Sequence, residues 1–248
     1  MSAECTQPHT RLLRMGLAEP ESLEYWRQSG RPLDPADLAR VAFEERWFGS
    51  RAMARVRYLI QNFQARFGAY PNALKTLHRW NSQDPLERRI LCHWHLQLSD
   101  PMYRQFTATH LPERLHHPQP TVDRNAVTRW VEDYTRRRWA AATTQRMCSG
   151  LMSTLHEVGY VEKTAALPPL SLPRVSDRAL GYMLYLLRET EYQGTLGQNP
   201  YLGSLGLSGR ELESRLSRVP GIQFRKMSDV KDLHWDYPDL WAWAQAVA

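Results

Sequence analysis

Three Asp-Pro pairs, Asp34-Pro35, Asp84-Pro85 and Asp100-Pro101, each stand in front of a run with helical apolar spacing. An aspartate at the N-cap accepts a backbone N–H that the first helical turn leaves unpaired. Proline at the first helical position has its φ already set and no N–H to waste. The pairs predict helices over 35–46, 85–98 and 101–109, and the intervening periodicity adds 50–67 and 71–80. In 50–67, Met53, Val56, Ile60, Phe63 and Phe67 recur at steps of three and four and make one buried stripe. Arg51, Arg55, Tyr58 and Asn62 fall on the opposite face. Strand signals are scarce, and "GIQFRKMSDVKDLHW" is the best hairpin candidate. The chain therefore reads as all-α: a helical bundle with two helix-turn-helix or winged-helix units and at most short wing strands.

Proline-rich stretches divide it. "THLPERLHHPQPTVD" (109–123) and "LPPLSLPRVSD" (167–177) mark boundaries. They predict an N-terminal bundle over 1–118, a helix-turn-helix unit over 119–166 and a winged unit over 174–248. At 248 residues with 42% hydrophobic side chains, the chain can bury real cores. The richest apolar run, "LGYMLYLL" (180–187), is far shorter than the roughly 20 residues that cross a bilayer. With an N-terminus that lacks the apolar centre of a signal peptide, and three widely spaced cysteines, a reducing cytoplasm is the expected location.

Charge is unevenly placed. Between Arg46 and Gln83 there is no acidic residue, yet the segment holds Arg46, Arg51, Arg55, Arg57, Arg66, Lys75 and Arg79. Removing these seven from 32 basic residues leaves 25 against 26 acidic ones, so the surplus sits in one segment. An anion-binding face has this pattern, and so does a solvated helix surface.

In the middle unit Asp123 starts a helix containing Val127, Trp130, Val131 and Tyr134, followed by a turn around 138–142. Thr143 or Thr144 then caps a second helix that buries Met147, Leu151, Leu155 and Val158 and breaks at Gly159. Gln145, Arg146, Ser149, Ser153 and His156 point away from that stripe. A recognition helix needs such a slender polar face to reach base edges, and Arg136, Arg137 and Arg138 would sit near phosphates. A purely structural helical hairpin has the same outline. The C-terminal unit repeats the logic, with a helix near 200–205, a turn at Gly206-Leu207 and a helix capped by Ser208. Leu212, Leu216 and Val219 line one side of that helix and Arg210, Ser214, Ser217 and Arg218 the other. A hairpin wing follows, carrying Arg225, Lys226 and Lys231.

Phosphate-binding GxxxxGK[ST], GxGxxG, HExxH and GxSxG are absent from the sequence, and no cofactor, metal or catalysis is expected. In "CHWH" (92–95), Cys92 and His95 lie one turn apart while His93 points elsewhere, so two ligands have no third. A core role is expected for them.

The segments "ESLEYWRQSG", "GSRAMARVRYLIQNFQARFG", "ILCHWHLQLSDPMYRQF" and "VTRWVEDYTRRRWAAATTQRMCSGLMSTLHEVGYV" resemble the BrxA family, an accessory component of BREX (bacteriophage exclusion) defence systems. The resemblance covers roughly residues 20 to 165, and the winged segment agrees in type alone. It implies an all-α protein that binds double-stranded DNA without catalysis through two helix-turn-helix units, with other BREX components as partners. It also implies an N-terminal part similar to RNA-binding antitermination factors. A monomer is expected. The DNA-facing residues would be Arg51, Arg55, Arg136, Arg137 and Arg138 for positioning. Gln145, Arg146, Ser149, Ser153, Arg210, Ser214, Arg218, Arg225 and Lys226 would lie nearer the grooves. Two rivals stay open: single-stranded RNA on the Arg51, Arg55 and Tyr58 face, and a protein-binding adaptor with an apolar patch in "HWDYPDLWAWAQAVA" (234–248).

Overall fold

Aspartate and serine caps set where several of the helices begin. In the computed structural model, which describes residues 4–162, 169–190, 195–227 and 230–247, Asp84 accepts the Leu86 N–H at 2.9 Å and opens α5 (Pro85–Ser99). Asp100 accepts the Tyr103 N–H at 3.0 Å and opens α6 (Pro101–Gln105). Asp123 and Ser176 do the same for α8 (Arg124–Tyr134) and α10 (Asp177–Leu187). The third Asp-Pro pair behaves differently. Asp34 caps only the Ala36 N–H of a turn, and α2 is confined to Leu38–Glu44.

The remaining N-terminal helices are α1 (Glu19–Gln28), α3 (Met53–Phe67) and α4 (Pro71–Trp80). The helix expected over 101–109 runs on instead through a π turn at Phe106–His110 into α7 (Leu111–Leu115). Pro112 explains the widened turn: it has no N–H to return to the carbonyl four residues back, and Leu111 N–H reaches Phe106 O instead. α9 (Ala141–Val158) starts two residues before Thr143; Ala140 is its N-cap, in extended conformation, and Thr144 is buried inside the helix. The threonine cap is thus corrected. Gly159, at φ 101°, ends α9 in the left-handed conformation that glycine adopts without penalty.

The C-terminal unit is α11 (Pro200–Gly203), α12 (Gly209–Leu216), an antiparallel hairpin and α13 (Leu240–Val247). Ser208 is the N-cap residue of α12, yet its side chain makes no capping bond. The hairpin joins β1 (Ile222–Met227) to β2 (Val230–Trp235), with Ile222 opposite Trp235 and Phe224 opposite Leu233. It is the one sheet among the described residues, and the fold is otherwise helical as expected. No helix among the described residues is long and apolar enough to cross a membrane.

The three sequence segments converge on α5. Every residue from Ile90 to Ser99 is buried, so the helix is enclosed on all sides. His93 shares hydrogen bonds with the Tyr103 hydroxyl (2.8 Å) and with Ser204 Oγ (3.2 Å) of the C-terminal segment. Tyr160, just past α9, donates to Ser204 O at 2.8 Å and lies beside the same imidazole. Trp94 Nε1 donates to Tyr201 O, and His95 Nε2 pairs with the Tyr182 hydroxyl at 2.6 Å. Burial holds both imidazoles neutral and lowers each from 6.5 to about 3. The "CHWH" residues therefore act as internal polar struts. On the far side, Trp243 of α13 is fully buried, stacks on Tyr185 at 5.7 Å and donates to Pro220 O.

Candidate nucleic-acid interface

The face of α3 opposite the apolar stripe is not bare. Residues 9–17 lie along it, anchored by buried Leu12, Met15 and Leu17. Arg55 Nη1 donates to Arg14 O (2.8 Å), Tyr58 OH to Arg11 O (3.1 Å), and Arg66 to the carbonyls of Leu17 (2.7 Å) and Gly16 (3.0 Å). Arg66 is buried and Asn62 is closed off beneath Tyr58, which corrects the reading of Asn62 as a surface residue. Part of the acid-free basic segment is thus explained within the fold: its guanidinium groups hold backbone carbonyls of the N-terminal segment. Lys75 lies 4.7 Å from the Trp241 ring centre and has a packing role too. Arg51 stays exposed, with Glu21 at the edge of ion-pair distance (3.9 Å).

The same N-terminal segment then packs on α9. A Cβ added to Gly150 would stand 2.9 Å from Leu12 O, and one added to Gly16 would stand 3.0 Å from Thr154 Oγ1. Both glycines allow backbone to approach where a side chain would hold it off. Between this segment and the start of α8 runs a surface groove of about 710 Å³. Gln145, Arg146, Ser149 and Ser153 line it together with Arg14, Arg124 and one carboxylate, Glu157. Arg124 Nη1 donates to Ser149 Oγ at 3.0 Å. Ser149 donates in turn to Gln145 O, and Ser153 to Glu157 Oε1. Among the described residues no carboxylate lies within ion-pair distance of Arg14, Arg124 or Arg146.

Four of the expected α9 residues therefore meet in one place. Arg14 and Arg124 join them although nothing in their own stretches of sequence singles them out. Arg55 contacts the backbone of Arg14, and both guanidinium groups flank the Tyr58 ring, at 5.6 and 6.0 Å. That ring is accordingly occupied by cations rather than open for stacking on a base. Arg136, Arg137 and Arg138 form the exposed turn between α8 and α9. Arg136 and Arg137 both hold left-handed φ angles, 52° and 54°, in a turn closed by N–H bonds to Asp133 O and Glu132 O. Arg137 has Glu132 at 3.7 Å, with three quarters of its own side chain exposed.

The C-terminal set stands apart from this groove. Arg210, Ser214 and Arg218 are exposed on or just after α12, and Arg225 and Lys226 are exposed on β1. Lys226 Nζ meets Glu213 Oε2 at 2.7 Å, and Arg218 lies 3.6 Å from Asp177. Lys231 and the rest of the hairpin tip, and residues 163–168, fall outside the described side chains. The C-terminal aromatic tail contributes to the core: Trp243 is buried and Trp241 is half-covered. Among the described residues the large apolar side chains left exposed, Phe43, Leu86 and Leu172, come from three separate segments.

No protein-family profile matches this sequence, and no curated protein matches it. An uncharacterized protein from Magnetospirillum magneticum, solved by crystallography, is similar in structure: TM-score 0.60 at 16% identity, covering 80% of this chain and 97% of that one. At that identity the similarity concerns the fold, and the chain shares a largely helical architecture with this protein.

Proposed function

We propose that this protein is a non-catalytic, double-stranded DNA-binding component of a BREX-type phage-defence system. The observation that supports it best is the meeting of Arg14, Arg124 and Arg146 in one groove whose lining holds one carboxylate, Glu157, with none of the three ion-paired among the described residues; the Arg136–Arg138 turn ahead of α9 is exposed. Surface guanidinium groups in excess over carboxylates attract a polyanion. The occupied Tyr58 ring favours a duplex over a stacked single strand. The defence role comes from the resemblance to the BrxA family, and its partners there would be other BREX components.

Anisotropy titrations on unrelated duplexes at several salt concentrations test the reading. With about six phosphates neutralised, log affinity falls against log salt with a slope of about −5. Changing Arg136, Arg137 and Arg138 together to Glu abolishes duplex binding while the circular dichroism spectrum stays native. Unchanged binding by that variant removes the turn from the interface.

A further inference from the structure

Resting on the DNA-binding reading, we infer that the α9 groove takes the sugar–phosphate edge of a duplex, with Arg14, Arg124 and Arg146 on phosphates, and that α9 does not read bases. Three observations carry this. The first is steric. A helix with its side chains is about 10–12 Å across and by itself fills a major groove about 12 Å wide. α9 does not stand alone: the segment from Leu12 to Gly16 packs backbone-close along one flank, at Gly150 and Thr154. Arg124 closes over Ser149 at the other flank. The polar face of α9 is exposed yet flanked on both sides, and rod plus flanking peptide is too wide to enter a major groove.

The second observation is chemical. The two hydroxyls best placed to meet base edges are already used: Ser149 accepts from Arg124 and donates to Gln145 O, and Ser153 donates to Glu157. The groups that keep free donors are the Gln145 amide and the guanidinium groups, which outnumber it and whose forked N–H array fits phosphate oxygens. The third is what the groove lacks. Among the described residues no aromatic ring lines it, while Leu13, Ala142 and Gly150 supply apolar surface against which a deoxyribose can rest. Cations, spent hydroxyls and a ring-free floor suit a backbone and give a base little to recognise.

The consequence is binding with little sequence preference from this unit. The test uses the full-length protein, anisotropy titrations on four unrelated duplexes of equal length, and a range of NaCl concentrations. Arg14→Ala with Arg124→Ala is expected to weaken all four duplexes by the same factor. It should also reduce the magnitude of the log–log salt slope by about 2, since each arginine removed leaves one phosphate without its cation. Arg124→Lys alone, which keeps the point charge, should leave the slope nearly at its wild-type value. A loss confined to some duplexes, or a changed ranking of the four with Gln145→Ala, overturns the inference in favour of base readout. Wild-type affinity in the double alanine variant, alongside lost binding on reversal of Arg136–Arg138, overturns it while leaving the DNA-binding reading intact. Failure of the wild-type protein to bind any duplex sinks both.

Discussion

Acid should destabilise this protein well above the pH at which carboxylates titrate. His93 and His95 are fully buried and neutral, each lowered from 6.5 to about 3. In the unfolded chain both take up a proton as pH falls through 6.5, while the folded chain refuses it until about 3. The unfolded state binds more protons across that window, so stability is complete above it and declines as pH falls. Each imidazole contributes about 1.4 kcal/mol per pH unit, giving about 2.7 for the pair. Asp100 works the other way: burial raises its carboxyl, so the folded chain takes up a proton there that the unfolded chain does not. If Asp100 titrates within the same range the net slope is still about 1.4 kcal/mol per pH unit. Between pH 6.5 and 5 the loss is roughly 1–3 kcal/mol, a sizeable part of the 5–15 typical of a folded domain. Urea midpoints by circular dichroism at half-unit pH steps measure it. His93→Gln and His95→Gln, which keep hydrogen-bonding capacity, should each remove about 1.4 kcal/mol per pH unit from the slope. A flat profile from pH 6.5 to 5 in the wild type would refute the account of these imidazoles as neutral struts.

Two further outcomes follow from packing. Trp243→Ala should cost about 3–5 kcal/mol in urea unfolding, because it empties a site enclosed by Trp80, Tyr185 and Pro220; a cost below about 1 kcal/mol would mean that α13 is not docked as described. Gly150→Ala should gain about 1 kcal/mol of helix propensity and lose about 1–3 to the collision with Leu12 O. The net change in stability is small, but duplex affinity should fall as far as in Arg14→Ala, since the N-terminal segment must move off α9.

Local chemistry is readable from sequence, and tertiary convergence is not. Asp84, Asp100, Asp123 and Ser176 announce their helices because a capping bond spans only two or three residues. The hairpin is readable for the same reason. Thr144 misleads because a buried threonine inside a helix looks, in sequence, like one that starts it. Asn62 and Arg66 mislead for another: a helical wheel tells which face is apolar, but not that a distant segment will cover the polar one. Arg14 and Arg124 escape notice in sequence because 110 residues separate them, and only the docking of residues 9–17 on both α3 and α9 makes them neighbours. Periodicity carries no signal for such a meeting, although the close approach at Gly150 leaves a faint one, a glycine on the flank of an otherwise regular helix.

The enclosure of α5 governs how this molecule can be taken apart. Cutting the chain ahead of Tyr201 would strip Trp94 of its carbonyl acceptor and His93 of Ser204, uncovering the buried side of α5 that this segment closes. Fragments chosen from the proline-rich boundaries would each carry a share of a centre that none of them owns. Dissecting the α8–α9 and α11–α12 units therefore calls for point changes in the intact chain, with neither unit expected to survive excision.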